Sequence, residues 1–262
     1  TAEGKGTIDS PIDIYTAFKY TGDGQTIKAK GGTYNLTKPI KVESGNSGTE
    51  KAMKTLTTYD GERAIFDFGK VSGGFTLAGD YWHIKGVDFC NTADTEHGVT
   101  VSGHNNTVED VKTYSNGDTG LQISGDQSEE FDKWPSNNLI LNCESYDNMD
   151  AAMNNADGFA AKISVGNGNV FKGCIAHNNC DDGWDLFSKL EIGAIGAVTI
   201  EDCITYDNGN LSDGTRTDGD GNGFKLGGEG IPVKHTLINS LSFNNNHAGI
   251  TGNSNPAIIV KG

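Results

Sequence analysis

The segment "HNNCDDGWDLF", residues 177–187, places Asp181, Asp182 and Asp185 within five residues of one another. Carboxylates this close repel one another and leave water reluctantly unless a cation or hydrogen-bond donors compensate them. Two kinds of chemistry use such a set. Several carboxylates can ligate a hard divalent cation, and calcium in particular takes many oxygen ligands. Alternatively, two of them can divide acid and base roles. A chemically silent reading is that the aspartates decorate polar turns. Their spatial neighbours decide among these, so the elements that position them come next.

The chain repeats. "HIKGVDFCN", "VEDVKTYSN", "ILNCESYDN", "FKGCIAHNN", "IEDCITYDN" and "LINSLSFNN" each end in asparagine, at Asn91, Asn116, Asn148, Asn179, Asn208 and Asn245. These asparagines are 25, 32, 31, 29 and 37 residues apart. An aromatic residue or histidine stands two positions earlier: Phe89, Tyr114, Tyr146, His177, Tyr206 or Phe243. A second motif follows each asparagine: "GVTV", "GLQI", "GFAA", "GWDL", "GFKL" and "GITG". Two short strands per repeat, separated by an asparagine turn, bury nothing alone; stacked, they form a solenoid with ladders of like side chains. The fold class is therefore all-β, a parallel β-helix. A β-sandwich leaves six aligned asparagines unexplained, and helical repeats need a 3.6-residue apolar period that is absent. The asparagine amides are expected to hydrogen-bond from coil to coil.

Residues 9–20, "DSPIDIYTAFKY", read as a short N-terminal capping helix with Ser10 as N-cap, Pro11 at the first helical position and Ile12, Tyr15 and Phe18 on one face. The last residues, "NPAIIVKG", end on a strand with no capping helix, and residues 1–262 read as one β-helix domain. Cys143, Cys174 and Cys203 share one ladder position, where buried free thiols are a better reading than a disulfide. Cys90 and Cys180 flank turn asparagines, with their state open.

Composition limits the partners. The net charge of −15 argues against a nucleic-acid surface, and no apolar run approaches the roughly 20 residues of a membrane helix. Five irregularly spaced cysteines make neither a disulfide scaffold nor a zinc ribbon. The opening "TAEGKGT" is no signal peptide and reads as a mature or trimmed product, as expected of a secreted, bacterial-type chain.

Stacking then supplies neighbours for the carboxylates. In the second motif the residue after glycine is large and apolar, hence inward, so the next one points out. That outward column reads Thr100, Gln122, Ala160, Asp185, Lys225 and Thr251. The position before the glycine reads His97, Thr119, Asp157, Asp182, Asn222 and Ala248. Asp157, Asp181, Asp182 and Asp185 thus converge, with Lys225 at their edge, and calcium is the simplest stabiliser of four carboxylates in register. Trp184 is expected in the core and His177 in the aromatic ladder. "DGDGNGFKLGGE", residues 218–229, matches an EF-hand loop, but Gly227, Gly228, Gly230 and Pro232 forbid the following helix. The match is accidental, although Asp218 or Asp220 could touch a second ion.

With "ADGFAAK", "NNCDDGWDLF" and "GNGFKLGG" in one register, the chain resembles the family 9 polysaccharide lyases, which include pectate and rhamnogalacturonan lyases. The resemblance runs from the capping helix to about Phe243. It implies a right-handed parallel β-helix, Ca2+ held by Asp157, Asp181, Asp182 and Asp185, and Lys225 as catalytic base. The implied reaction is β-elimination at a galacturonate of a pectic polymer, pectate or the rhamnogalacturonan backbone. Arg216, Lys189 and Lys162 are weaker candidates for binding the acidic polysaccharide, and a monomer is expected. Two alternatives stand: a β-helix glycoside hydrolase using paired aspartates, and a non-catalytic, calcium-stabilised carbohydrate-binding solenoid.

Overall fold

The computed structural model describes residues 3–262. Its strands form three parallel sheets, of nine, eight and eight strands, each running along the stack of coils. One coil contributes a strand to each sheet, as Thr107–Glu109, Lys112–Tyr114 and Leu121–Ile123 do in turn. The sequence pattern predicts two strands per repeat, and the structure has three. The extra corner lies inside the first motif. Asp110, Asn142, Asp202 and Asn239 adopt positive φ there, between 46° and 55°, and Gly86 and Gly173 do so at 72° and 64°. Small polar residues and glycine tolerate this left-handed conformation best. The kink breaks the two-residue alternation, so Val108 and Val111, three apart, both face the core.

At the next corner the asparagine ladder forms as expected. The backbone N–H and Nδ2 of Asn148 both donate to Oδ1 of Asn179, at 3.4 and 2.9 Å. Asn179 does the same to Asn208, and Asn208 to Asn245. The glycine of the second motif is the other side of this corner. A Cβ at Gly183 would stand 2.1 Å from Thr205 Oγ1, and one at Gly120 2.7 Å from Asn148 Nδ2. Only glycine fits.

Asn91 does not belong to the ladder. The register pairs Cys90 with Tyr114 and Phe89 with Thr113, so Thr92 occupies the position of Asn116. Thr92 is fully buried and its N–H donates to Asn116 Oδ1. The first of the six aligned repeats is therefore one residue out of register, and Phe89 is a core ring rather than a member of the outer aromatic stack. That outer stack runs Tyr114, Tyr146, His177, Tyr206, Phe243, with centroids 4.7–5.1 Å apart. A second ladder, at the corner before the first sheet, escaped the sequence reading: Asn106, Asn138 and Asn169 link their coils in the same way.

The helix is Ile14–Tyr20, and its N-cap is Asp13, whose Oδ1 accepts the Thr16 N–H at 2.9 Å. Ser10 was the expected cap. It is instead engaged in a backbone bridge with Thr7, so the helix starts later than Pro11. Phe18 closes the end of the core, stacking 5.5 Å from Phe75 and packing on Trp82. At the opposite end Leu241, Phe243, Ile250 and Val260 are exposed. All five cysteines are buried and free, and Cys143, Cys174 and Cys203 stack through N–H···S contacts.

Candidate active site

The third sheet carries the site. Its register pairs Gln122 with Ala160, Ala160 with Asp185, Asp185 with Lys225 and Lys225 with Thr251. This is the outward column read from the repeat. What fixes Asp185 and Lys225 is the inward residue before each. Trp184 is fully buried, 4.8 Å from Phe159 and 4.9 Å from Phe224, centroid to centroid. Large aromatic rings stacked this way anchor their short strands in the core. The glycine-preceding column also forms, because the N–H groups of Gly120, Gly158 and Gly183 donate to the carbonyls of Asp157, Asp182 and Asn222.

Those two columns bring Asp157, Asp182 and Asp185 together, and Asp181 joins them as the neighbour of Asp182. Asp157, Asp181 and Asp182 each offer an oxygen within 4.8 Å of the others, and all three are buried. Asp182 Oδ1 accepts both the N–H and the Nδ2 of Asn222, each at 2.8 Å. Asp157 Oδ1 accepts the Asp182 N–H at 3.1 Å, and Asp181 Oδ1 that of Asp220 at 2.5 Å. Asp185 Oδ1 is buried with no hydrogen-bond partner among the described residues.

Two ammonium groups reach the cluster. Lys225 Nζ lies 3.0 Å from Asp182 Oδ2, 3.5 Å from Asp220 and 3.9 Å from Asp185 Oδ2. Lys162 Nζ lies 2.7 Å from Asp157 Oδ2 and 3.4 Å from Asp185 Oδ2. Burial, then repulsion from Asp157, pushes the Asp181 and Asp182 carboxyls well above the usual range. Burial also raises Asp185, although Lys162 opposes it. For Lys225, burial favours the neutral form, but Asp185, Asp182 and Asp157 outweigh it, and the ammonium is held above its ordinary value. Asp182, Asp185 and Lys225 thus all move upward, the carboxyls through burial and mutual repulsion and the ammonium through the carboxylates around it.

This donor set fits a hard divalent cation. Every nearby donor is an oxygen, three carboxylates converge, and a fourth has a buried oxygen with nothing to bind. Calcium prefers such all-oxygen sets.

Beside the cluster lies a cleft of about 440 Å³, whose lining includes Gln122, Lys162, Phe187, Lys189 and Lys225. Lys189 makes no ion pair among the described residues and is the cleft's free cation. Arg216 is exposed in a neighbouring loop and does not line this cleft. Residues 218–229 contain the strand Phe224–Lys225 and no helix, as their glycines dictate. Asp220 meets both Asp181 and Lys225. Phe187 was missed: its ring centroid lies 5.9 Å from Lys225 Nζ, and it rests on Gly228, where a Cβ would come within 2.4 Å of the ring. Asn222, which donates to Asp182, and Thr119, whose Oγ1 donates to Asp157 Oδ2 at 3.4 Å, were missed too, although both stand in the column of Asp157 and Asp182 that the repeat reveals.

A parallel β-helix with a lysine set among aspartates on one sheet defines the class of protein. The profile described as "Pel9A-like, right handed beta helix region" matches residues 1–261, and the chain belongs to that family. It is 50% identical over 261 residues to pectate lyase L of Thermoclostridium stercorarium, covering 99% of this chain and 21% of that protein. Among solved structures it is similar to pectate lyase Pel9A, with a TM-score of 0.85 and 32% identity over 97% of this chain and 64% of that one. A rhamnogalacturonan lyase gives 0.78 and 26%, over 94% and 67%. The chain thus spans about a fifth of the length of the curated relative and about two thirds of each solved structure.

Proposed function

We propose that this chain is the catalytic unit of a calcium-dependent polysaccharide lyase, cleaving a galacturonate-containing polymer by β-elimination. The observation that carries this reading is Lys225, held at 3.0 Å from Asp182 beside a buried four-carboxylate cluster that opens on a cleft. The relatives named pectate lyase and rhamnogalacturonan lyase support it, and the substrate we propose is pectate or the rhamnogalacturonan backbone.

Asp157, Asp181, Asp182 and Asp185 would hold the calcium, which when bound supplies positive charge against the carboxylate of the reacting sugar. Lys225, in its neutral form, takes the proton from C5. The electron pair left behind forms the C4–C5 double bond as the glycosidic oxygen departs from C4. Asp182 and Asp185 aim the amine, and the Phe187 ring limits its travel on the other side. Lys189 is placed to receive a sugar carboxylate. Arg216 would contribute only if its loop folded over the cleft. The chain acts as one β-helix unit, as a monomer, on an extracellular polymer. Among the described residues no helix is long and apolar enough to cross a membrane.

The test is near-UV absorbance during incubation with polygalacturonate and, separately, rhamnogalacturonan, with calcium and then with chelator. A calcium-dependent rise is expected on one of them, from the unsaturated product. New reducing ends without that rise would mean hydrolysis by paired aspartates. No change on either polymer would leave a binding solenoid.

A further inference from the structure

Lys162 stands apart from the other lysines of the cleft. Its ammonium spans two carboxylates, Asp157 and Asp185, and its side chain is only 12% exposed. A group so enclosed and so engaged is poorly placed to catch a sugar carboxylate. Lys189, in the same cleft, is free to do so.

The charges suggest a different role. With all four aspartates ionised and Lys162 and Lys225 protonated, the set carries a net charge of two minus, which one divalent cation balances. The column position beside Asp185 is Ala160, which brings no charge of its own. The local backbone is also unusual. Ser164 N–H donates to the Lys162 carbonyl two residues back, at 2.9 Å, and Ile163 between them has φ +74°. That is the rare form of γ-turn, and a β-branched residue adopts it only under constraint from its surroundings. Here the Ile163 N–H donates to the Phe187 carbonyl at 2.9 Å, tying the turn to the strand segment that carries Asp185. The turn therefore fixes the point from which Lys162 reaches.

We propose that Lys162 is the built-in counter-cation of the carboxylate cluster: it keeps the site folded without metal and weakens calcium binding. The inference rests on the calcium reading above. An ammonium in contact with two ligand carboxylates repels an incoming cation and competes for their oxygens. Without metal, it offsets part of the cost of burying four like charges.

The experiment compares the wild-type chain with Lys162→Met and Lys162→Arg, using calcium titration calorimetry and thermal unfolding with and without calcium. Lys162→Met is expected to tighten calcium binding by about tenfold or more, to lower the metal-free Tm and to widen the gain in Tm that calcium confers. Lys162→Arg keeps the charge and is expected to retain the wild-type Kd. It also serves as the reference if the methionine variant folds only with calcium, an outcome that itself agrees with the proposal. An unchanged or weaker Kd in a folded Lys162→Met chain overturns it, as does an arginine variant that behaves like the methionine one. If the wild type binds no calcium at all, the metal reading fails and this inference falls with it.

Discussion

Lys225 and Lys162 carry the same charge and reach the same oxygen, Asp185 Oδ2, from opposite neighbours. Only Lys225 stands in the outward column, one coil from Asp185. As the proposed base it must lose its proton, and the carboxylates around it oppose that loss. Activity should therefore climb toward alkaline pH, by about tenfold per unit while the ammonium form dominates. Lys225→Arg keeps the charge but cannot deprotonate. We expect its lyase rate to fall by about 10³-fold, with calcium affinity measured by calorimetry little changed. A rate within tenfold of wild type would remove Lys225 as the base. Lys225 was legible because side chains alternate along a strand. Lys162 was only half legible: it follows the strand Phe159–Ala161, where alternation stops and a turn decides direction.

At the scale of the element, the repeat is a corner made of two residue types that need each other. Asparagine supplies an acceptor and donors to the turn, and glycine leaves the room for them. Asn179 shows the cost of breaking it. Replacing it by alanine strands the Asn148 N–H in a dry interior, removes one of three acceptors from Asn148 Nδ2, and deletes the Asn179 amide's own bonds to Ser145 and Asn208. The loss should be about 3 kcal/mol, or roughly 10 °C in Tm for a chain of this size, read by calorimetric unfolding. A drop of only a degree or two would mean that water replaces the amide. Asn179 lies one residue before Cys180 and two before Asp181, so the same corner sets where the first carboxylate begins. The site is built from what the coil already needs.

Across the whole molecule, the second ladder changes chemistry after Asn169, where Val198 takes the next position and His235 the one after it. Where Asn106, Asn138 and Asn169 stand in earlier coils, His235 presents Nδ1 to the Val198 N–H, at 3.1 Å. Its Nε2 is buried without a partner among the described residues. Burial pushes the imidazole down to about 4, from an ordinary 6.5. The unfolded chain therefore binds a proton that the folded one refuses, so this contribution is complete above pH 6.5 and disappears as pH falls toward 4. Up to about 3 kcal/mol is at stake. His235→Asn preserves an acceptor for Val198 and does not titrate, so its unfolding midpoint in urea should fall less than the wild type's between pH 6.5 and 4.5. Equal falls would place the acid sensitivity elsewhere.

The sequence by itself determined the coil, the columns and the convergence of Asp157, Asp181, Asp182 and Asp185 on Lys225. Each follows from a local rule repeated at a fixed interval, and stacking turns interval into proximity. It also ruled out the EF-hand reading of residues 218–229, because glycine and proline act locally. The third strand of each coil lay hidden, because a single left-handed residue such as Asp110 breaks alternation without a distinctive sequence mark. The slip from Asn91 to Thr92 had the same origin: an asparagine one place too early imitates the ladder, and only pairing of Cys90 with Tyr114 corrects it. Tertiary structure alone decided where the other cations lie. Lys162 sits among carboxylates, Lys189 lies open in the cleft and Arg216 stands outside it, because long flexible side chains leaving turns point where the neighbouring coils allow.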